Sequence, residues 1–304
     1  MTAPSVSVVI PTHARPELMK RAVESVIAQR YDGRVEIIVV FDACDPDLPV
    51  VELDARHELR GLVNSRTPGL AGARNTGILG SSHAYVAFLD DDDYWLPNKL
   101  EFQMGAFAAH PETILVGTGM RVDDGSSTHD RLLPFDRVTH SDLVRDRLAA
   151  LHSSSFMFRR SSFSGALGLV DEELPRSYGE DYDLLLRTAT LSTIIVVNLP
   201  LVAVSWSGQS YFFGRWADYA SALKYLLAKH PEFTGNRRAL GRIESQIAYA
   251  LAASGEKVEA RSWAKRALAD RLLQPKAVLA IAISFGWIHS DTVVRAARRF
   301  GKGI

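Results

Sequence analysis

The spacing of hydrophobic and polar positions changes along the chain. Residues 5–10, Ser5-Val6-Ser7-Val8-Val9-Ile10, form a β-branched run stopped by Pro11, the pattern of a buried strand. Between 16 and 29, Leu18, Ala22, Val23, Val26 and Ile27 recur at helical spacing. Residues 35–41 read as a second apolar strand, 59–64 as a weaker third and 84–89 as a fourth. A helix is expected over 70–79, loosened at its start by Gly69 and Gly72. Such alternation predicts an α/β fold with a mostly parallel sheet covered by helices. Active sites in sheets of this kind lie beyond the carboxyl ends of the strands.

After about residue 113 the rhythm changes. Strands are expected at 113–121, 155–159, 193–197 and 201–206, around helices near 141–150 and 181–191. Beyond 214 the pattern is helical: 218–230, 237–253, 258–269 and 276–285, punctuated by Pro231, Gly255 and Pro275. The expected organisation is therefore an α/β domain over 1–213 and a helical region over 214–304, serving packing, oligomerisation or membrane association.

Composition adds exclusions. The 304 residues are 47% hydrophobic and 23% charged, which excludes a disordered or fibrous chain. Cys44 has no second cysteine with which to pair, which fits a reducing compartment. No basic-then-apolar leader is evident after Met1, and the apolar stretch 277–288 is too short to span a bilayer. The expectation is a cytoplasmic protein, with peripheral attachment to the membrane as an option. The zero net charge conceals a split. Residues 1–213 carry 19 Lys and Arg against 28 Asp and Glu, and residues 214–304 carry 16 against 7. A basic tail that includes Arg295, Arg298, Arg299 and Lys302 suits an anionic membrane surface, and nucleic acid ranks low.

Three segments carry candidate chemistry. Asp90, Asp91, Asp92 and Asp93 follow the apolar strand that ends at Leu89. An acidic run is ordinarily a solvated loop, but four like charges at the end of a buried strand repel unless a cation offsets them. Carboxylates suit Mg²⁺ or Mn²⁺, which also bind substrate phosphates. A second cluster, Gly179-Glu180-Asp181-Tyr182-Asp183, opens a helix. Acids favour a first helical turn in any case, yet an exposed one here can act as general base toward a hydroxyl. The third, Gly69-Leu70-Ala71-Gly72-Ala73-Arg74-Asn75-Thr76-Gly77, suits either close approach to a ligand or close helix–sheet packing. His13 and His152 read as structural, Cys44 as inert, and Trp206, Tyr211, Phe212, Phe213 and Trp216 as packing aromatics.

The five segments Val6-Ser7-Val8-Val9-Ile10-Pro11-Thr12, Ile38-Val39-Val40-Phe41-Asp42, Gly72-Ala73-Arg74-Asn75, Phe88-Leu89-Asp90-Asp91-Asp92-Asp93 and Gly179-Glu180-Asp181 together resemble the family 2 glycosyltransferases. The resemblance covers residues 4–210 and implies the GT-A fold, a nucleotide-sugar donor and inversion at the transferred sugar. It implies that Pro11, Thr12 and Asp42 line the base pocket, with Asp42 accepting the uracil N–H, and that Arg74 contacts base or diphosphate. It further implies that Asp90 and Asp91 hold the ribose or flank a Mn²⁺ or Mg²⁺ ion bound chiefly by Asp92. Asp181 would be the base, and Glu180 would orient it or bond the acceptor. A UDP-sugar is favoured over dTDP, and the acceptor would be a glycan, glycolipid or lipid-linked precursor. Two departures stand out: Phe41 replaces an acid common in the family's nucleotide pocket, and 205–210 holds none of the late histidines some members give the metal. The alternatives are a non-catalytic nucleotide-sugar binder or membrane-docked scaffold, and a nucleotidyltransferase. The last should carry a basic glycine-rich loop after the first strand, which Pro11-Thr12-His13-Ala14-Arg15-Pro16 is not.

Overall fold

The computed structural model describes residues 3–206, 215–270, 274–290 and 292–293. They fall into two compact units, one made of 1–143, 147–172 and 180–210, the other of 144–146, 173–179 and 211–304.

In the first unit, β1 (Val6–Thr12), β2 (Val35–Phe41), β3 (His57–Val63) and β4 (Tyr85–Phe88) form the parallel half of the sheet. The rest comprises β5 (Tyr94–Trp95), β6 (Leu115–Asp123), β7 (Thr128–Arg131), β8 (Arg137–Val138), β9 (Met157–Arg159) and β10 (Ile194–Ser205). Among the described residues these ten strands make one sheet of order β3-β2-β1-β4-β9-β6-β10-β5, with β7 on β6 and β8 on β10. It is mixed, because β9 runs antiparallel to both β4 and β6.

Helices α1 (Pro16–Ile27), α2 (Leu70–Gly80), α3 (Lys99–Ala109), α4 (His140–Arg145) and α5 (Glu180–Leu191) complete the α/β pattern. Alternate side chains of β1 point to opposite faces, as a pleated strand requires. Val8 and Ile10 join the core that contains Met19, Val23 and Val26 of α1. Val9 faces the other way, where a Cβ on Gly77 of α2 would lie 2.2 Å from its Cγ1. Both faces of the parallel half are therefore covered.

Some elements differ from expectation. The strands expected at 193–197 and 201–206 are one strand, β10, whose register slips on either side of Pro200. Proline lacks the N–H a continuous ladder needs. The helix expected over 141–150 stops at Arg145, and Leu148 takes a left-handed φ of 53°. The strand expected from 155 begins at Met157, after a 3₁₀ turn over Ser153–Ser155. Helix α3 was not singled out by its pattern, for it buries two polar side chains. Lys99 Nζ donates to Gln103 Oε1 at 2.7 Å, and Gln103 Nε2 donates to the carbonyls of Val116 and Ser155.

The second unit contains α6 (Trp216–Lys229), α7 (Arg237–Ser254), α8 (Lys257–Asp270) and α9 (Pro275–Ser284). Helix α7 packs against the other three and buries Ile243, Ile247, Ala248 and Leu251. Asn236 caps its start through Ala239 N–H, and Gly255, at φ 94°, closes its end in the left-handed region. No helix of the described residues is long and apolar enough to cross a membrane. Tyr211, Phe212 and Phe213, and the basic residues Arg295, Arg298, Arg299 and Lys302, lie outside the described residues.

Candidate active site

The carboxyl ends of β1, β2 and β4 lie side by side, since Thr12 pairs with Phe41 and Val9 with Phe88. The chain leaving β1 brings Pro11, Thr12 and Arg15 to this edge, that leaving β2 brings Asp42, and that leaving β4 brings the four aspartates. Helix α2 adds Arg74 from one side, and α5 adds Glu180 and Asp181.

The aspartates are not equivalent. Asp91 is buried, accepting Thr12 Oγ1 at 2.7 Å and pairing with the Arg15 guanidinium at 2.5 Å. Burial pushes its carboxyl up to about 6 although Arg15 opposes this. Asp93 is buried as well; Ser154 Oγ donates to one oxygen at 2.6 Å and Ser205 N–H to the other at 3.2 Å. Burial takes it up to about 7, opposed by His152. Asp92 has the exposed carboxylate, at 41% accessibility, with Arg15 Nη1 2.9 Å away. Asp90 accepts from Arg74 Nη2 at 2.6 Å and from Ser153 Oγ at 3.0 Å. Burial acts to raise Asp90, but Arg74 and His152 outweigh it and hold the carboxyl below its usual range.

Arg74 ties the β4 acids to the α5 acids. It is 1% exposed, and its second terminal nitrogen donates to Glu180 Oε1. Burial, together with the charges of Asp181 and Asp90, pushes Glu180 up to about 7, against the pull of Arg74. The next residue, Asp181, pairs with Arg147 Nη2 at 2.5 Å and accepts its neighbour's N–H, Tyr182 N, at 2.8 Å. Burial would raise Asp181, yet Arg147 and Arg74 outweigh it and lower the carboxyl. Asp183 is fully buried and holds Arg187 Nε at 2.8 Å.

The small-residue segment of α2 works as a fastening. A Cβ on Gly72 would lie 1.9 Å from the Thr67 carbonyl oxygen, so glycine is required here by close backbone packing. Asn75 bonds both the N–H and the carbonyl of Val170, and also Glu172 at 2.6 Å. Thr76 bonds Asn64 at 2.9 Å, and Asn64 Nδ2 donates to Asp42 at 2.7 Å. Both oxygens of Asp42 also accept Gly69 N–H, at 3.1 and 3.0 Å. Asp42 thus holds the loop in front of α2.

The structure brings Thr12 and Asp91 together, and likewise Arg74, Asp90, Glu180 and Asp181. Asp42 stands beside Thr12, whose carbonyl accepts its N–H at 2.9 Å, while its carboxylate is engaged by the α2 loop. Among the described residues, the ligand atoms that cluster for a metal are those of Asp90, Asp93 and His152, within 4.8 Å of one another. Two carboxylates and an imidazole form a donor set able to hold a divalent cation. Asp92 is outside this trio. His152 read as structural in sequence because nothing in its spacing links it to the acidic run; the turn at Ser153–Ser155, whose N–H groups it caps, brings it there.

The model of the family described as "Glycosyl transferase family 2" matches residues 7–165, more than half of the chain. The chain belongs to glycosyl transferase family 2. Among curated relatives, an uncharacterized glycosyltransferase of Rickettsia felis is 29% identical over 200 residues, covering 63% of this chain and 32% of its own. A second, from Escherichia coli, is 30% identical over 143 residues, covering 46% of this chain and 55% of its own. It is named UDP-Glc:alpha-D-GlcNAc-diphosphoundecaprenol beta-1,3-glucosyltransferase WfgD. The chain thus spans well under two thirds of the length of these relatives. Among solved structures, S. aureus TarS 1-349 in complex with UDP-GlcNAc superposes with a TM-score of 0.60 at 16% identity, covering 98% of this chain and 92% of that one. That likeness shows the fold, which is the GT-A arrangement.

Proposed function

We propose that this family member transfers a sugar from a nucleoside diphosphate donor, a UDP-sugar in first place, to an acceptor hydroxyl with inversion. The observation that carries the reading is the single edge where the β4 acids, Arg74 and the α5 acids meet. Support for the donor comes from the relative named for UDP-Glc and from the TarS complex with UDP-GlcNAc. The same relative's name supports an acceptor carried on a lipid diphosphate.

Asp181 accepts the proton of the attacking hydroxyl, and one displacement at the anomeric carbon inverts its configuration. Arg147, whose guanidinium pairs with Asp181, keeps that carboxylate ionised. Glu180 and Arg74 are positioning residues: they lock the first turn of α5 to the end of β4. Pro11, Thr12 and Asp42 border the base, and Asp91, through Thr12 and Arg15, shapes the floor beneath the diphosphate. The acidic run would hold a Mn²⁺ or Mg²⁺ ion through Asp92 beside Asp90, where the cation would offset the charge of the departing diphosphate. Asp92 is preferred to Asp93 because its carboxylate is exposed to a ligand, whereas that of Asp93 is buried. The compact Asp90, Asp93 and His152 trio favours a second placement of the ion.

Thermal unfolding with UDP-, dTDP- and GDP-sugars, with and without Mn²⁺, tests the donor class, since a ligand bound only by the folded state raises stability. Stabilisation by UDP-sugars that depends on metal is expected; none by any nucleotide-sugar overturns the reading. In the same assay Asp92→Ala should abolish the metal-dependent part and His152→Ala should leave it. The reverse order assigns the ion to the buried trio. Attachment to an anionic membrane through the basic 214–304 region is part of the proposal, and co-sedimentation with anionic vesicles reads it out.

A further inference from the structure

We propose that the helical unit carries a phosphate-binding cavity of its own, lined by Arg145, Arg238, Arg242 and Gln274, that takes a phosphate or diphosphate group. All its lining residues lie within the second unit and none belongs to the nucleotide edge. The cavity encloses about 280 Å³ and has one acid in its lining, Asp146, against three arginines. Lys276, in the first turn of α9, adds a fourth cation in electrostatic reach of Arg242.

The lining concentrates positive charge. Arg238 and Arg242 stand four apart on α7, a spacing at which like charges repel. Lys276 is half-buried, and among the described residues no carboxylate pairs with its ammonium. Burial and the charge of Arg242 lower its pKa. An anion in the cavity reverses each of these terms. The site is also held in shape: Arg242 Nη2 donates to the Val144 carbonyl at 3.3 Å, fixing the segment that carries Arg145 and Asp146. Gln274, 8% exposed, precedes α9, accepts the N–H groups of Ala277 and Val278 on its backbone carbonyl, and lines the wall as a neutral residue. Guanidinium forks match phosphate oxygens two at a time, which distinguishes this set from a patch of lysines. Assigning the phosphate to the acceptor, rather than to the donor, rests on the transferase reading above; the cavity itself does not.

The test is titration of the full chain with inorganic pyrophosphate at low salt, with UDP in saturating amount so that the nucleotide edge is occupied. Wild type should bind, and Arg238→Gln should weaken binding about tenfold, the loss of one charge-assisted contact. Arg238 is exposed, so this variant leaves the fold intact. Arg242→Gln, which also gives up the bond to the Val144 carbonyl, should weaken binding at least as much. Lys265→Gln, an exposed cation on α8, should change nothing. Equal binding by Arg238→Gln, an equal loss in Lys265→Gln, or no pyrophosphate binding overturns the proposal. If UDP fails to bind, the pyrophosphate result still reads the cavity. Phosphatidylglycerol vesicles, with phosphatidylcholine as control, separate the sources. Binding that pyrophosphate competes away and Arg238→Gln weakens identifies a lipid headgroup, whereas pyrophosphate binding without vesicle binding identifies a soluble or polymer-borne phosphate; both sustain the site.

Discussion

Asp90, Glu180 and Asp181 surround one buried guanidinium, and that ratio decides what each carboxyl can do. Arg74 satisfies Asp90 and Glu180 directly, leaving Asp181 to the more exposed Arg147. Removing Arg74 strands buried charge, which in comparable pairs costs about 3–5 kcal/mol. Arg74→Gln should therefore lower unfolding stability by that order in urea titration; a loss under about 1 kcal/mol would mean that the acids find other partners. Asp181→Asn keeps the shape of the side chain and loses its basicity. Turnover should fall by about 10²–10⁴-fold, the usual contribution of a general base, with UDP affinity unchanged. Full turnover would pass the role to Glu180, because Asp183 is buried against Arg187.

At the scale of elements, α2 shows two effects opposed at one position. Alanine is a better helix former than glycine by about 1 kcal/mol, so Gly77→Ala gains locally. Its Cβ would meet the side chain of Val9, a buried β-branched residue of the central strand with little room to turn. Overpacking costs about 1–3 kcal/mol, so net destabilisation is expected by thermal unfolding. A stabilised Gly77→Ala would show that β1 and α2 can separate. The parallel half of the sheet was legible because β1, β2 and β4 are apolar on both faces and end in turn residues. Helix α3 was not, since its buried Lys99 and Gln103 break the apolar stripe. The acidic run was legible as a site by its position after β4. The inequality of its four members was not, because it depends on partners far away in sequence: Thr12, Arg74, Ser154 and Ser205. His152 falls in the same class, brought to Asp93 by a short turn that leaves no periodic trace.

For the first unit as a whole, acid should undo folding through carboxylates that stitch distant segments together. Glu172 accepts from Arg66, Asn75 and Thr67, joining the 170–172 loop to α2 and to the loop before it. Burial would raise its pKa, yet Arg66, Asn75 and Thr67 outweigh burial and lower it from 4.5 to about 2. Glu36 responds in the same direction: burial is outweighed by Ser7, Ser82 and Arg60, which join β1, β3 and the end of α2. A carboxyl whose folded pKa is depressed contributes fully above its unfolded value, and loses that contribution as pH falls toward the folded one. For Glu172 the window runs from 4.5 down to about 2. At about 1.4 kcal/mol per pH unit, Glu172→Gln should be less stable than wild type by roughly 2–3 kcal/mol at pH 7. The gap should narrow below pH 4.5 and nearly close by about pH 2, read from urea unfolding across the range. A gap that stays constant with pH would show that Glu172 acts through shape and neutral hydrogen bonds, with the ion pair to Arg66 adding nothing to stability.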